Sequence, residues 1–444
     1  MKTFRIGGIH PAENKFSAGK KIIKANLPKQ VAIPLAHYIG APSLPIVAKG
    51  EFVKVGQLIG KANGFISANV HSSVSGKVNK IDVQLDATGY KRAAVFVEVN
   101  GDEWVETIDR SPEVKRECNL TKEEIIKKIA EAGIVGLGGA TFPTHVKLSP
   151  PPGKKADVLI INAVECESYL TCDHQLMMEK GEEIMIGISI LMKALDVKRA
   201  IVGIENNKKD AIALFHKLAK DFAGVEVMAL KVQYPQGGEK QLIDATIGRQ
   251  VPSGALPIEV GAVVQNVGTT YAVYEAVQKN KPLFERVITI TGKSSKNPGN
   301  YLVRLGTMLS EVVDQAGGVP ADTGKIVGGG PMMGRSLMTL DVPMAKGSAG
   351  VLFMQDTESV RNKTQNCIRC SKCVNVCPMG LEPYLLMNQS EREMWPEMEK
   401  DRVMDCIECG SCSYTCPSNR ALLDYIRFGK STVGGIIRSR QIKK

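Results

Sequence analysis

Two copies of one cysteine pattern near the end of the chain constrain its fold more than any other feature. Each copy is spaced C-x2-C-x2-C-x3-C and is followed by a proline. The copies are formed by Cys367, Cys370, Cys373 and Cys377, and by Cys406, Cys409, Cys412 and Cys416. Thiolates are soft ligands that suit iron–sulfur centres, and four of them hold one [4Fe–4S] cubane. The repeated pattern therefore predicts two [4Fe–4S] clusters.

The spacing also predicts how the two copies share their clusters. Three closely spaced cysteines hold one cluster, and the fourth, before the proline, reaches the other. We therefore expect a first cluster site of Cys367, Cys370, Cys373 and Cys416, and a second cluster site of Cys406, Cys409, Cys412 and Cys377. The alternative is a pair of zinc sites, but a zinc ribbon gains nothing from a third cysteine in each copy. The other cysteines, Cys118, Cys166 and Cys172, are expected to be packing residues rather than ligands.

Length and composition limit the classes of protein that remain. The chain has 444 residues, a net charge of +11 and 11 cysteines, and it is long enough for about two to four domains. No run approaches the roughly 18 apolar residues of a membrane span, and the N-terminus lacks a signal-peptide pattern, so we expect a cytosolic protein. Cysteines in such a chain favour metal or redox use over disulfides. Few aromatic residues accompany the basic excess, which argues against nucleic-acid binding and leaves an acidic partner or an anionic membrane.

The rest of the chain divides into segments of different pattern. Residues 30–100 have short alternating runs broken by Gly, Asn and Ser, and resemble the barrel-sandwich hybrid of lipoyl and biotinyl domains, without a lysine at the hairpin tip. Residues 120–285 alternate helix-like and strand-like runs, beginning with a capping box from Thr121 to Glu124, and predict a parallel α/β sheet. Residues 286–355 resemble the small β-grasp module called SLBB. Residues 356–444 are expected to be helical and cysteine-rich.

A glycine-rich segment and three polar strand ends suggest one ligand site in the α/β region. The segment GIVGLGGATFPTHVKL could bring backbone N–H groups to a phosphate, although taken alone it is equally typical of a turn-rich connector. The strand ends are INAVECESYLTCD, YPQGGEKQL and VVQNVGTT. Ligands of open α/β sheets bind outside the carboxyl ends of the strands, so we expect these segments to meet.

Taken together and in this order, the segments resemble a known family. They are similar to the flavin- and NADH-binding subunit of respiratory complex I, and more closely to RnfC, the NADH-facing subunit of Rnf ferredoxin:NAD⁺ oxidoreductases. The resemblance covers nearly the whole chain and implies a multidomain α/β fold. Its expected parts are a barrel-sandwich hybrid (1–110), a Rossmann-like FMN/NADH-binding domain (120–285), an SLBB β-grasp domain (286–355) and a helical ferredoxin-like 2[4Fe–4S] domain (356–444).

The resemblance also implies which residues hold FMN and NAD(H). The expected FMN cradle is formed by Gly136, Gly138, Gly139, Ala140 and Lys147. The flavin and nicotinamide site would be completed by Asn162, Glu165, Glu167, Gly237, Glu239, Gln265, Asn266 and Thr269, with Phe142 and Tyr234 stacking nearby. Of these, Glu165 and Glu167 are the implied catalytic carboxylates. Val164, Ser168 and Gly238 depart from the family pattern, which usually has an acidic residue, a proline and a glutamate there.

The implied function is electron exchange in an ion-translocating complex. A hydride would pass between NAD(H) and FMN, and single electrons would pass through the clusters towards ferredoxin. The implied partners are the Rnf membrane subunits and an Rnf iron–sulfur subunit, with NADH as substrate and ferredoxin as an indirect partner. The location would be peripheral, on the cytoplasmic side of a bacterial or archaeal inner membrane. Two alternatives stay open: a soluble RnfC-like reductase, such as a cobalamin reductase, and an electron-transfer subunit without a nucleotide site.

Single residues and the chain end also allow a simpler interpretation. Lys147 could be a solvated lysine, and Glu167 could cap a helix. The last nine residues include Arg438, Arg440, Lys443 and Lys444 and no acidic residue. This end could be a frayed, solvated terminus, or the end and the N-terminal barrel could hold the chain to membrane partners.

Overall fold

The computed structural model describes residues 1–442, and the side chains of residues 1–440. The first 24 residues run along other parts of the molecule before the barrel begins. Lys2 and Ile9 form backbone bridges to Leu230 and Tyr234, far along the chain. A two-residue strand, β1 (Ile23–Lys24), then joins the edge of a later sheet. The N-terminal segment therefore lies against the α/β region.

Residues 30–99 form two small antiparallel sheets, as the alternating runs predict. The strands are β2 (Gln30–Pro34), β3 (Leu44–Pro45), β4 (Phe52–Val53), β5 (Leu58–Lys61), β6 (Val70–His71), β7 (Gly76–Leu85) and β8 (Lys91–Val99). The first sheet has the order β2-β8-β7-β4 and the second β3-β5-β6. Val31, Ile33, Val95 and Val97 are fully buried between them, which explains the alternation in the sequence.

The α/β region contains a four-stranded parallel sheet flanked by helices. Its elements are α1 (Lys122–Glu131), α2 (Thr144–Lys147), β9 (Val158–Asn162), α3 (Cys172–Glu179), α4 (Gly181–Leu195), β10 (Ala200–Glu205), α5 (Lys209–Leu218), β11 (Val225–Leu230), α6 (Glu239–Ile247), β12 (Ala262–Asn266) and α7 (Val267–Gln278). The expected capping box is present, because Thr121 and Glu124 exchange side-chain and backbone hydrogen bonds at the start of α1. The strand order β11-β10-β9-β12 is wholly parallel, as predicted.

Residues 285–359 form a mixed sheet and two short helices. The elements are β13 (Glu285–Gly292), β14 (Gly299–Arg304), α8 (Leu309–Gln315), β15 (Thr323–Gly328), β16 (Arg335–Ser336), β17 (Gly350–Gln355) and α9 (Asp356–Ser359). The sheet order is β1-β14-β13-β17-β15-β16, so the N-terminal strand completes one edge.

The cysteine-rich end is mostly helical. The helices are α10 (Lys372–Asn375), α11 (Pro383–Glu391), α12 (Trp395–Lys400), α13 (Ser411–Thr415) and α14 (Leu422–Ile442). Residues 360–371 carry no regular secondary structure and are exposed, unlike the expected helix. The chain end is a helix up to Ile442 rather than a frayed segment, because Val433 is buried and Arg440 pairs with Glu399 of α12 at 2.8 Å. Lys443 and Lys444 lie outside the described residues.

Within residues 1–442 no helix combines the length and the apolar character that crossing a membrane requires.

Candidate functional site

The predicted site lies where the strand order of the parallel sheet reverses. Strands β9, β10 and β11 follow one another to one side, whereas β12 pairs with β9 on the other side. Asn162 and Asn266 are the last residues of these two strands and are register partners. The crevice outside such a switch point is where open α/β sheets bind their ligands. The structure thus places both predicted asparagines at the mouth of one crevice.

Asn266 joins three elements at this crevice. Its Oδ1 accepts hydrogen bonds from the Gly268 and Thr269 N–H groups at 2.8 and 3.2 Å and so caps α7. Its Nδ2 donates to Asp173 Oδ2 at 2.7 Å. Burial, reinforced by the Glu165 carboxylate, raises the pKa of Asp173 to about 6.

The glycine-rich loop packs tightly against Asn266 at Gly138 and leaves open space at Gly139. A Cβ on Gly138 would lie 2.5 Å from Asn266 Nδ2, whereas a Cβ on Gly139 would meet nothing within 4 Å. The Gly136 N–H donates to the Phe142 carbonyl at 2.9 Å and closes the loop, and Ala140 within it is exposed. The loop is fixed to α7 because the Leu137 N–H donates to the Thr269 hydroxyl at 2.8 Å.

Lys147 is bonded to other residues of the predicted site and is not a free solvated lysine. Its Nζ donates to Glu239 Oε1 at 2.8 Å and to the Val264 carbonyl at 3.2 Å. Asn162 Nδ2 donates to the Gly237 carbonyl at 2.8 Å, which brings the start of α6 to the same crevice. The glycine loop, the Asn-plus-Glu loop, the start of α6 and the start of α7 therefore meet, as the sequence predicts.

Both implied catalytic carboxylates are held by backbone N–H groups. Glu165 accepts from Asp173 and His174 at 2.8 and 3.1 Å and caps the start of α3. Glu167 accepts from Met332 and Met333 at 3.1 and 2.7 Å. The helix cap is thus Glu165 rather than Glu167, and burial raises the pKa of Glu167. The catalytic role of either carboxylate stays a prediction.

Three observations fit the crevice to FMN. Gln265 is buried, and its Nε2 has no hydrogen-bond partner among the described residues, so a donor is available for a ligand oxygen. The space at Gly139 is open, and only a residue without a side chain leaves it so. The N-terminus of the 12-residue helix α7 opens onto the same crevice and favours a phosphate. These residues fit a phosphorylated ligand with ring carbonyl oxygens.

The second cluster site is assembled from both cysteine motifs. Its four cysteines border one cavity together with Pro378, Met379 and Leu381. Burial raises the pKa of Cys412, and the neighbouring thiols of Cys409, Cys406 and Cys377 raise it further. Within residues 1–442 no three His, Cys, Asp or Glu side chains gather closely enough to hold a single metal ion. Cysteines spaced around a cavity fit a cubane, in which each thiolate caps a different iron.

The first cluster site is brought together only in part. Burial and then the neighbouring Cys416 raise the pKa of Cys373, so these two thiols are close. Cys367 and Cys370 are exposed and lie in the irregular segment 360–371. The predicted sharing of cysteines between the motifs stays a prediction at this site.

Tyr234 lies three residues before Gly237, which borders the crevice, and contacts the second cluster site. Its side chain is only 2% exposed, and its hydroxyl donates to the Cys409 carbonyl at 2.7 Å. The ring packs with Ile9, Cys166 and Met332, so it is enclosed rather than open for stacking. Phe142 is half-buried beside the glycine loop. The second cluster site is therefore the one that adjoins the nucleotide crevice.

Sequence reasoning missed two contributors to this junction. Lys15 donates to the carbonyl oxygens of Glu165, Glu167 and Leu170 at 3.0, 2.8 and 2.7 Å. Arg427 donates to Glu408 at 3.1 Å and to the Met333 carbonyl at 3.1 Å. The run GGGPMMG at residues 328–334 was the available signal for the second contact, since three glycines allow a close backbone approach. Nothing local to Lys15 signals its role.

Four family models match the chain in sequence order. They are the RnfC barrel sandwich hybrid domain (residues 2–102), the Nuo51 FMN-binding domain (129–275), the SLBB domain (287–336) and the 4Fe-4S dicluster domain (359–417). A subunit of the proton-translocating ferredoxin:NAD(+) oxidoreductase complex of Clostridium ljungdahlii is 47% identical over 97% of this chain and 94% of its own length. The corresponding protein of the Na(+)-translocating complex of Acetobacterium woodii is 44% identical over 97% of both chains. The chain belongs to the RnfC family.

Membership of the RnfC family confirms the predicted four-part architecture and the predicted cofactors, which are FMN, NAD(H) and two [4Fe–4S] clusters. A more distant RnfC relative, from the ion-translocating oxidoreductase complex of Rhodobacter capsulatus, is 39% identical over 87% of this chain and 75% of its own length. A solved NAD⁺-reducing [NiFe]-hydrogenase has a TM-score of 0.50 at 19% identity, over 70% of this chain and 63% of the hydrogenase chain. That likeness concerns the fold alone.

Proposed function

We propose that this chain is the peripheral subunit of an Rnf complex that exchanges electrons with NAD(H), and that it works on the cytoplasmic side of the membrane. The observation that carries the proposal is the contact between Tyr234 and the Cys409 carbonyl, because it joins the nucleotide crevice to a cluster site. Bound FMN accepts the electron pair of a hydride and releases the electrons singly, which suits it to stand between NADH and the clusters. Membrane subunits of the complex would carry the electrons onward and move the coupling ion.

The residues around the crevice have complementary binding roles in this proposal. Gly138 and Gly139 would hold the FMN phosphate through backbone N–H groups, and the positive end of α7, whose Gly268 and Thr269 N–H groups already donate to Asn266, would favour its charge. Gln265 and Asn162 would meet ring oxygens of the flavin, and the pair of Lys147 and Glu239 would orient the polar end of the ligand. The open cradle at Gly139 and the unpartnered Gln265 Nε2 support a working nucleotide site. They argue against an electron-transfer subunit that has lost it.

The two cluster sites would act in a fixed order. The second cluster site adjoins Tyr234, so it would receive electrons first. The first cluster site includes the exposed Cys367 and Cys370, so it would deliver electrons to a partner. Lys363, Arg369 and Lys372 are exposed around those cysteines and are expected to favour an acidic partner surface.

Removal of one cluster at a time tests this order. Anaerobically reconstituted protein is expected to contain FMN with about eight irons and eight sulfides. In Cys367→Ala, which disturbs the first cluster site, NADH should still reduce the second cluster rapidly. In Cys377→Ala, which disturbs the second cluster site, NADH should bleach the flavin, but the first cluster should be reduced slowly. Rapid-freeze EPR measures both rates. Equal cluster reduction in the two variants contradicts the order, and absence of flavin bleaching in the unmodified protein contradicts the function.

A further inference from the structure

A second cavity, of about 200 Å³, lies beside the nucleotide crevice and has no role in the function proposed above. It is lined by three parts of the chain: the N-terminal segment, the loop after β9, and the ends of β10 and β11. The lining residues that matter here are His10, Glu13, Lys15, Cys166, Glu205 and Tyr234. Most of them carry polar groups, so the cavity can hold water.

The cavity and the nucleotide crevice share a wall. Cys166 lines the cavity, and its Sγ accepts a hydrogen bond from the Gly237 N–H at 3.3 Å at the start of the α6 loop. Gly237 in turn accepts from Asn162 at the crevice. Lys15 holds the loop between them by bonding to the Glu165 and Glu167 carbonyl oxygens at 3.0 and 2.8 Å. One layer of residues therefore separates the two spaces.

Glu205 is the buried acid in this cavity. It is the last residue of β10, is 2% exposed, and accepts one long hydrogen bond, from the Gln233 N–H at 3.3 Å. The charged groups that face it are Lys208, whose Nζ lies 3.7 Å away, Lys15, and Glu13. Lys208 is held mainly by other acceptors, since it donates to the Val164 carbonyl at 2.7 Å.

The surroundings of Glu205 raise its pKa to near neutral pH. Burial raises the pKa of Glu205 to about 7, although Lys208 and Lys15 act to lower it. A carboxyl group with a pKa near the working pH can accept and release a proton without a large energetic cost. A structural carboxylate would instead be expected to have strong hydrogen bonds that keep it ionised.

The reaction leaves a proton that needs such a group. Oxidation of one NADH yields one NAD⁺, one proton and two electrons, and the two electrons leave through the cluster sites. The proton cannot follow them through the clusters, because an iron–sulfur cluster carries electrons and not protons. The proton must therefore leave the nucleotide site by a route other than the clusters in each turnover, and must arrive by such a route when NAD⁺ is reduced.

We propose that the cavity behind Cys166 is this proton path and that Glu205 relays the proton between the nucleotide site and solvent. The inference rests on the proposed exchange of electrons with NAD(H). Glu205 acts as a relay residue, because Cys166 and its loop lie between it and the crevice. The water in the cavity carries the proton past the rim residues His10 and Glu13.

The test compares Glu205→Gln with Glu205→Asp and a control. Glu205→Gln keeps the size but cannot ionise, Glu205→Asp keeps the carboxyl, and Glu226→Gln removes an exposed carboxyl from the neighbouring strand β11. Single-turnover oxidation of NADH by the holoprotein is followed in weak buffer with a pH-indicator dye. Glu205→Gln should slow proton release by at least about tenfold with unchanged flavin bleaching. Glu205→Asp should restore most of the rate, and Glu226→Gln should match the unmodified protein.

A second readout does not depend on the cofactors. Infrared difference titration of the flavin-free protein should show a buried protonated carboxyl that ionises near neutral pH. This band should be present in the unmodified protein and in Glu226→Gln but absent in Glu205→Gln. Proton release at the unmodified rate in Glu205→Gln, or the lack of this band, overturns the proposal. If the unmodified protein shows the band but NADH does not bleach its flavin, the proposed function fails and this inference fails with it.

Discussion

The free energy of unfolding is expected to depend on pH through one buried residue, Glu205. Its pKa in the folded protein is about 7, above the value of about 4.3 in an unfolded chain. The folded state therefore binds the proton more tightly, and stability is lost as the pH rises from about 4.3 through about 7. The loss is about 4 kcal/mol at most, because the two pKa values differ by about 2.7 units and each unit corresponds to about 1.4 kcal/mol.

We expect Glu205→Gln to lose less stability than the unmodified protein between pH 5 and pH 8, since glutamine does not ionise. Denaturant midpoints of the flavin-free protein at both pH values measure the difference. Glu226→Gln, at an exposed site, should follow the unmodified protein. Parallel pH profiles for all the proteins would show that Glu205 is already ionised at low pH.

Tyr234→Phe is expected to affect the second cluster more than the first. The change removes the hydroxyl that donates to the Cys409 carbonyl at 2.7 Å and leaves a buried acceptor without a partner, at a cost of about 1–3 kcal/mol. Loss of a donor near a cluster ligand disfavours the added negative charge of the reduced cluster, so its midpoint potential should fall. EPR-monitored redox titration measures both clusters. A control is Tyr90→Phe at an exposed tyrosine, and equal shifts of both clusters would refute the assignment.

Sequence reasoning at the residue scale named positions that the structure brings together, but not what their atoms do. The resemblance placed Glu165 in the nucleotide site, yet its oxygens accept from the N–H groups of Asp173 and His174. Lys15 was not predicted at all, because its acceptors lie about 150 residues away and no local pattern records such a contact.

At the scale of elements, the glycine loop provides a matched pair of substitutions. A methyl group on Gly138 would collide with Asn266 and disturb the cap of α7, whereas one on Gly139 would enter open space. We expect Gly138→Ala to lower the melting temperature of the flavin-free protein. Gly139→Ala should leave that temperature unchanged but weaken FMN binding by at least about tenfold, because the methyl group would occupy the ligand's space.

Fluorescence titration with FMN and thermal unfolding of the flavin-free protein separate the two effects. Gly435→Ala serves as a control, since its Cβ would also meet nothing within 4 Å and it lies in α14, far along the chain from the loop. Unchanged FMN affinity in Gly139→Ala would mean that the open space is not the flavin cradle.

A helix or strand could be predicted from the sequence where its own residues supply the interactions that form it. Helix α4 spans the predicted run from Gly181 to Leu195, because its apolar residues are buried among neighbouring elements. Strand β10 likewise follows from a continuous apolar run. In contrast, β1 has two exposed residues and exists only because β14 offers an edge. Segment 360–371 was expected to be helical, but its exposed residues have no apolar face to bury.

At the scale of the whole molecule, the order of the parts along the chain was predictable and their contacts were not. The family models follow the predicted order from the barrel to the clusters. The contact between Glu167 and the Met332–Met333 turn joins segments 165 residues apart, and it helps to decide which cluster adjoins the crevice. The limits of the four domains stay a proposal, since the first 24 residues pack on the α/β region and the mixed sheet.

Two basic surfaces are candidates for docking to the complex. The strap, defined as residues 360–372, is wholly exposed, contains no acidic residue, and carries two predicted ligands of the first cluster. Its basic residues are Arg361, which pairs with Asp424 at 2.6 Å, and Lys363, Arg369 and Lys372. The chain end is the other surface, but Arg440 is already paired with Glu399. A partner that accepts electrons must approach the first cluster closely, so we expect the strap to dominate docking.

The prediction compares a strap variant (Lys363→Gln, Arg369→Gln, Lys372→Gln) with deletion of residues 441–444 on membranes that contain the partner subunits. The strap variant should be released at lower salt and should slow electron delivery to those membranes by at least about tenfold, because long-range attraction raises association rates. Deletion should leave electron delivery within about twofold of the unmodified chain, because the strap is unchanged. Charges at the edge of a docking surface mainly alter how association depends on salt. Substituting Lys209, Lys217 and Lys220 by Gln gives a control with the same loss of exposed charge. If the deletion and not the strap variant lowers the salt needed for release, the chain end is the anchor. If all variants bind partner-free vesicles, the attraction is to lipid.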